Sequence, residues 1–226
     1  RAFETETLTF NIAANNSDDS REGTIKFISK DKAITQTVKI EQESNYDPTK
    51  PRNNEIWYST TDGKLLDPYK PEAFGANIVS NIYENGKGII TFDGDVQYVG
   101  HAAYHGCEEL ATITLPNSVT KIEWQAFRYC RKLTSINIPN NVTLIGSEAL
   151  ASCESLTNII IPNSVTSIGK EAFYRCSSLQ NITIPAGVTS IGDSAFENCY
   201  NLTEVAFEAG STALTVGNNA FASCDV

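Results

Sequence analysis

Apolar positions in the second half of the chain recur in one fixed order: Val-Thr-x-Ile-Gly, then Ala-Phe-x-x-Cys, then Leu-Thr-x-Ile-x-Ile-Pro. The order is carried by VTKIEWQAFRYCRKLTSINIPNN (119–141), VTLIGSEALASCESLTNIIIPNS (142–164), VTSIGKEAFYRCSSLQNITIPAG (165–187) and VTSIGDSAFENCYNLTEVAFEAG (188–210). A degenerate copy, VQYVGHAAYHGCEELATITLPNS (96–118), precedes them, and a truncated copy runs from Ala213 to Val226. The cysteines mark the period. Cys107, Cys130, Cys153, Cys176 and Cys199 stand 23 residues apart, and Cys224 follows after 25 because Ser211 and Thr212 are inserted.

Each part of the unit predicts an element. Leu-Thr-x-Ile-x-Ile alternates apolar and polar residues and is β-branched, which predicts a short half-buried strand ended by Pro. Val-Thr-x-Ile-Gly predicts a second short extended piece closed by a turn. Ala-Phe-x-x-Cys has near-helical spacing and predicts about one turn of helix with its apolar side inward. One such unit cannot bury its apolar side alone, whereas stacked copies share a continuous core, so the prediction is a solenoid. Phe127, Phe173, Phe196 and Phe221 then form one interior ladder, and the six cysteines another.

The repeated I-G-x-x-A-F-x-x-C-x-x-L-x-x-I-x-I-P resembles the BspA-like (Treponema-type, LRR_5) leucine-rich repeats of bacterial surface proteins, over residues 96–226. Departures are Glu123 for the repeat glycine, Tyr104 and Leu150 for the Phe, and A-F-E-A-G for the fifth I-x-I-P ending. Residues 1–45 follow a period of two in TLTFNIAAN, GTIKFIS and AITQTVKIEQ, separated by NNSDDSRE and KD, which predicts an antiparallel meander. N-I-A-A-N-N-S-D-D-S-R-E-G-T-I-K-F with T-V-K-I-E-Q is similar to the C-terminal half of a BACON domain, a small β-sandwich named for a suspected carbohydrate-binding role. The expected fold class is therefore β-rich α+β: a partial antiparallel β-sandwich (1–45), a linker (46–54), an N-terminal β cap (55–95) and a solenoid of six units, the last truncated (96–226). Within the cap, EIWYSTTDGKLLDPY predicts a hairpin turning at Asp62-Gly63, GIITFDG predicts a strand, and Trp57, Tyr58 and Phe74 are the candidates for covering the exposed end of the stack.

The net charge of −10 argues against nucleic acid, since no basic stripe exists to displace counterions from a phosphate backbone. No run of 18 apolar residues predicts a membrane span. With Arg1 first and no methionine, the natural start and any leader or lipid-anchor cysteine are expected upstream. His101 and His105 have metal-ligand spacing with Glu108 and Glu109 nearby, but both occupy slots that vary between units, so no metal is expected. The cysteines lack the close C-x-x-C pairs of a zinc site; their inward slot favours buried thiols, with disulfides between stacked neighbours the weaker reading. Gly86-Lys87-Gly88 is too short for a phosphate loop, and Asp93-Gly94-Asp95 reads as a turn into the first repeat. No nucleophile–base or paired-carboxylate arrangement stands out, so neither an enzyme nor a cofactor is expected.

What remains is surface. On the expected helical side, Trp124, Arg128, Tyr129, Arg131, Tyr174 and Arg175 mix aromatic and guanidinium groups as contact surfaces do. On the strand side, Thr112, Thr114, Ser135, Asn137, Asn158, Asn181 and Thr183 form a neutral polar face. A rigid solenoid with such faces suits a non-enzymatic binding protein. The resemblance implies adhesion to a host extracellular-matrix or cell-surface protein or glycan, at the cell surface of a Bacteroides-type bacterium as an outer-membrane lipoprotein or in secreted form. The alternatives are a glycan-binding module using aromatic residues such as Trp57, Tyr58 and Trp124, and a structural spacer without a ligand of its own.

Overall fold

The computed structural model describes residues 21–28, 35–42, 47–210 and 214–226. Two compact units are present, Arg1–Pro48 and Thr49–Val226. In the first, β1 (Arg21–Ile28) and β2 (Thr35–Gln42) pair antiparallel, Arg21 opposite Gln42 and Ile28 opposite Thr35. The two later segments of the expected meander thus form a hairpin. The TLTFNIAAN segment lies outside the described residues.

The second unit is a solenoid of 23-residue rungs behind a cap; rung 1 is 96–118, rung 2 is 119–141, and so on to rung 6. The Val-Thr-x-Ile-Gly pieces give β6 (Tyr98–Val99), β8 (Lys121–Ile122), β10 (Leu144–Ile145), β11 (Ser167–Ile168), β13 (Ser190–Ile191) and β15 (Thr215–Val216). They stack in one parallel sheet in the order β15-β13-β11-β10-β8-β6. The register is one repeat throughout, Leu144 against Lys121 and Ser167, and the insertion shifts only the last step, Ser190 against Thr215.

The Leu-Thr-x-Ile-x-Ile pieces form the opposite face: β7 (Leu110–Thr114), β9 (Ser135–Ile136), β12 (Asn181–Ile184) and β14 (Glu204–Phe207). This ladder breaks at rung 3. β7 pairs β9 and β12 pairs β14, but 157–161 is in no strand. A side chain explains the break. The Asn137 amide accepts from Leu115 N at 2.6 Å and donates to Leu115 O at 3.1 Å, tying rung 2 to rung 1. The same slot in rung 3 holds Ile160, which has no amide and is 77% exposed. A groove of about 530 Å³ lies there, lined by 134–138 and 157–160.

No helix occurs among the described residues, so the helical turn expected at Ala-Phe-x-x-Cys is replaced by something else. Two residues per rung, four apart, take the left-handed conformation: Gln125 and Tyr129, Glu148 and Ser152, Glu171 and Arg175, Ser194 and Asn198, Asn219 and Ser223. Alternate amides therefore point along the solenoid. Gln125 N, Phe127 N and Tyr129 N donate to Ser147 O, Ala149 O and Ala151 O of the next rung at 3.0, 2.7 and 2.9 Å, while Ala126, Arg128 and Cys130 fold back three residues. A non-glycine residue in this conformation costs ~1–2 kcal/mol. Cross-rung hydrogen bonds, each worth ~1 kcal/mol net, offset it.

The core slots hold as the sequence orders them. Val119, Ile122, Ala126, Phe127, Cys130 and Leu133 are fully buried, and so are their equivalents through rung 5 to within a few per cent. Tyr104 stacks on Phe127 (5.3 Å), and Phe173, Phe196 and Phe221 stack in turn at 4.9 and 5.2 Å. Leu150 interrupts the ring column in the same rung that breaks the strand ladder. Each sulfur donates to the main-chain carbonyl of the ring slot one rung back: Cys130 to Tyr104 O, Cys153 to Phe127 O, Cys176 to Leu150 O, Cys199 to Phe173 O and Cys224 to Phe196 O, at 3.1–3.3 Å.

The cap imitates a preceding rung. Ala73 O accepts from Gly100 N at 2.7 Å, Asp67 O faces the Cys107 sulfur at 3.8 Å, and Phe74 meets Tyr104 edge-on at 5.5 Å. β3 (Glu55–Thr60) lies between β5 (Lys87–Phe92) and β7, with β4 (Ile78–Glu84) outside β5. The hairpin expected around Asp62-Gly63 is absent because both edges of β3 are already taken, by β5 and β7. Gly63 still turns, at φ 68°, with Lys64 N donating to Asp62 Oδ1. The cap's hairpin is β4–β5, closed by Asn85-Gly86 at φ 51° and 81°, the Asn-Gly pair that two-residue hairpins favour. Of the three residues expected to cover the end of the stack, Tyr58 and Phe74 are buried, with Ile56 beside them, but Trp57 alternates to the outer face. There Lys87 Nζ sits 3.0 Å above its ring and Glu55 accepts its Nε1 hydrogen at 2.9 Å.

Candidate functional site

Four of the expected turn-side residues converge. Trp124, Arg128, Tyr129 and Arg131 all come from the variable slots of rung 2, which the left-handed turns splay outward. Trp124 is 49% exposed and stacks on His101 of rung 1, centroids 4.4 Å apart and planes 10° apart. One residue of rung 3, Glu148, organises the rest. Its carboxylate accepts from Trp124 Nε1 at 3.2 Å and from Gln125 Nε2 at 3.2 Å, and it forms an ion pair with Arg128. Arg128 also donates to the Tyr129 hydroxyl at 2.9 Å and lies over that ring, while its Nε is buried with no acceptor.

The cluster continues into the cap. The Tyr129 ring packs on His105 at 5.5 Å, and His105 on Tyr69 at 5.8 Å; Tyr69 is 65% exposed. Arg131 also lies over the Tyr129 ring, 5.7 Å from its centroid, and pairs with Glu108 of rung 1 (3.4 Å) and Glu154 of rung 3 (3.7 Å). Lys132 pairs with Glu109 at 2.6 Å. The result is a contiguous ridge running Tyr69, His105, Tyr129, Arg128, Glu148, Trp124, His101. At one end Trp124 is held by His101 and Glu148, at the other Tyr69 rests on the His105 ring, and each of Arg128, Arg131 and Lys132 is ion-paired. Burial, and next the nearby Arg128 and His101, hold the His105 imidazole below its ordinary pKa.

Tyr174 and Arg175 stand apart from this ridge and pair with each other, the guanidinium 5.8 Å from the ring. On the strand face the expected residues are in place but partly engaged. Thr112 shares a hydrogen bond with Ser59 at 2.6 Å, Thr114 lies in register with Trp57, and the Asn137 amide holds Leu115. Ser135, Asn158, Asn181 and Thr183 are exposed. Tyr69 and Glu148 were not legible as site residues. Tyr69 lies outside the repeat, and Glu148 sits in a slot whose left-handed backbone carries no sequence mark.

Burial makes the interior thiols of the ladder poor nucleophiles. All six are free. Burial pushes Cys130 and Cys153 well up, Cys176 up to about 12 and Cys107 up to about 11. Cys224, half-buried, is lowered chiefly by its interaction with the neighbouring Cys199 thiol, whose own pKa is raised. No group of three or more His, Cys, Asp or Glu side chains converges as metal ligands among the described residues.

Residues 90–226 match the family described as the BspA type leucine rich repeat region, in six copies. Residues 1–43 match BACON, described as a putative binding domain, N-terminal. No curated protein matches this chain. Three crystal structures are similar. A leucine-rich repeat protein from Bacteroides ovatus is 33% identical with a TM-score of 0.51, over 65% of this chain and 42% of its own. The T. pallidum leucine rich repeat protein is 30% identical with a TM-score of 0.51, over 60% and 73%. A leucine rich cell surface protein from Faecalibacterium prausnitzii is 32% identical with a TM-score of 0.52, over 65% and 38%. The similarity thus spans under half the length of two of these proteins. None of these matches is to an enzyme family. With the family's repeat covering more than half of its length, rung after rung in the solenoid just described, the chain belongs to the BspA-type leucine-rich-repeat proteins.

Proposed function

We propose that the chain is a non-enzymatic binding module of a cell-surface or secreted protein, and that the turn-side ridge from Tyr69 to Trp124 is its contact surface. One observation carries the reading: Glu148 of rung 3 holds Trp124 and Arg128 of rung 2, ring contacts continue this cluster through Tyr129 and His105 to Tyr69 of the cap, and Trp124 and Tyr69 stay exposed. Rigid rings cost little conformational entropy on binding, which is why Trp, Tyr and Arg dominate contact hot spots. The partner belongs to another cell or a host surface. The family match and the F. prausnitzii protein's description as a cell surface protein support that setting. Anchoring through an upstream lipid belongs to the same reading.

The test is binding of the purified chain to immobilised matrix proteins, glycans and intact cells, beside Trp124→Ala and, for the strand face, Asn181→Ala. Loss of binding in Trp124→Ala alone supports the ridge. Loss in Asn181→Ala alone moves the contact to the strand face.

A further inference from the structure

The chemistry of the ridge narrows its ligand, given that the ridge is the contact surface. Its charges are largely balanced internally. Arg128 is paired with Glu148, Arg131 with Glu108 and Glu154, and Lys132 with Glu109, so of the cations at the ridge, among the described residues, only Lys70, beside Tyr69 and within electrostatic reach of His105, remains without an ion pair to meet an anionic ligand. Beyond that one lysine, a sulfated or sialylated chain would have to break these pairs, in a protein of net charge −10. A cationic partner would have to compete with the same arginines.

The exposed groups also speak against an apolar protein patch. No aliphatic side chain lies on the ridge; its surface is ring, carboxylate, guanidinium and the Gln125 amide. An apolar partner would strip water from those polar groups without replacing the lost hydrogen bonds, which is costly. A carbohydrate replaces them. Its vicinal hydroxyls both donate and accept, matching carboxylate and guanidinium groups held at fixed positions. Its C–H faces carry the partial positive charge that the negative face of an aromatic ring attracts. The two exposed rings, Trp124 (49%) and Tyr69 (65%), lie at opposite ends of the fixed polar stretch Tyr129–Arg128–Glu148.

We infer that the ridge binds an uncharged oligosaccharide, its sugar faces against Trp124 and Tyr69 and its hydroxyls on Glu148, Arg128 and Arg131. The strand-side groove of about 530 Å³ at rung 3 is the less suited surface, since no aromatic residue lines it.

The experiment is a glycan array spanning neutral hexose, deoxyhexose and N-acetylhexosamine chains with sialylated and sulfated counterparts, probed with the whole chain. The best neutral binder is then titrated calorimetrically. Expected are retention of neutral glycans, a Kd that changes less than twofold between 50 and 500 mM salt, and weakening of tenfold or more in both Trp124→Ala and Tyr69→Ala. Glu148→Gln can still accept from Trp124 Nε1 through its carbonyl oxygen but loses the Arg128 ion pair and the bond from Gln125 Nε2, and weakens binding without changing the preference for neutral chains. Retention of anionic glycans only, a steep salt dependence, or neutral binding untouched by both ring variants overturns the inference. So does the absence of any neutral binder up to millimolar concentration by saturation-transfer NMR. If no glycan binds but a protein ligand is lost in Trp124→Ala and Tyr69→Ala, the ridge stands as the contact surface and only its ligand class is wrong. If every interaction survives both variants, the ridge itself is wrong.

Discussion

Gly169→Ala tests the stacking geometry at one of its tightest points. A Cβ on Gly169 would lie 2.4 Å from Ser147 N, 2.5 Å from Gly146 C and 2.8 Å from Ser147 Cα, all main chain of the preceding rung. Ordinary contact begins near 3.5 Å, so rungs 3 and 4 would have to part by about 1 Å at this corner. Gly169 N donates to Ile145 O at 2.8 Å and Thr166 N to Thr143 O at 3.0 Å. A displacement of about 1 Å takes the first of these beyond hydrogen-bonding distance. Overpacking costs ~1–3 kcal/mol and a lost hydrogen bond ~1 kcal/mol, against a gain of ~0.5 kcal/mol from a stiffer unfolded chain. The net expectation is a loss of about 2.5 kcal/mol, which for a domain of this size lowers Tm by ~5–10 °C. Gly94→Ala is the control, because its nearest neighbour would be 3.8 Å away. Thermal unfolding followed by circular dichroism reads both. A Cβ on Gly146, Gly192 or Gly217 would meet the preceding rung about as closely, at 2.7, 2.4 and 2.4 Å, whereas the same slot in rung 2 holds Glu123 with its amide still on Val99 O at 2.8 Å, so the cost belongs to the steps between rungs 2 and 6 and not to the slot in rung 2. A Gly169→Ala protein melting within 2 °C of the parent would refute the claim that glycine is there for close approach.

The buried Tyr104 hydroxyl has no partner, so Tyr104→Phe restores the repeat residue, removes an unsatisfied group and raises stability by ~1–2 kcal/mol; destabilisation in urea titration would mean that the hydroxyl is in fact satisfied. Ile160→Asn supplies the amide that Asn137 uses one rung back and is expected to protect the Ile138 amide from hydrogen exchange and add ~1 kcal/mol; unchanged protection at Ile138 counts against this account of the ladder break. The folded His105 pKa lies below its unfolded value of 6.5, so the unfolded chain binds the proton first. Its contribution is present above pH 6.5 and lost as pH falls through the folded value, so the Tm difference between parent and His105→Asn should shrink from pH 7.5 to 5; a constant difference would contradict it. Native labelling with a disulfide reagent should modify Cys224 first, Cys107 much more slowly, and Cys130, Cys153, Cys176 and Cys199 only on unfolding, as peptide mass mapping would show.

The stacking was legible because it depends on positions that must be the same in every rung. Val, Ile, Ala, Phe, Cys and Leu slots repeat since each packs on its own copy, and one period places them all. The conformation of Ala-Phe-x-x-Cys was not legible. Its apolar spacing fits a helix, and the left-handed residues that forbid one (Gln125, Tyr129 and their equivalents) are ordinary side chains held there by cross-rung hydrogen bonds. Gly106, at φ 70°, and more weakly Asn198 and Asn219, at φ 63° and 57°, show the requirement in their residue type. In the cap, the alternation of Ile56, Trp57 and Tyr58 already separates an inner from an outer face, and Asn85-Gly86 is a strong turn pair. The long-range pairing of β3 with β5 and β7 overrode the nearer Asp62-Gly63 turn.

This division also explains why the ridge lies where it does. A solenoid fixes its repeated slots for stacking, so recognition can be built only from the slots that stacking leaves free and from the cap, which stands outside the period. The ridge uses both. His101, Trp124 and Glu148 occupy variable slots in rungs 1, 2 and 3, and Tyr69 comes from the cap loop that replaces a preceding rung. Left-handed backbone strain falls in every rung alike, at Tyr129 of the ridge and equally at Asn198 outside it, so strain marks the architecture and not the site. What distinguishes rungs 1–3 is the departure from the repeat: rings and paired charges in slots that rungs 4–6 fill mostly with small or singly charged residues. Moving Trp124 and Glu148 together onto the equivalent slots of rungs 4 and 5 would leave the fold intact, because neither slot contributes to the core.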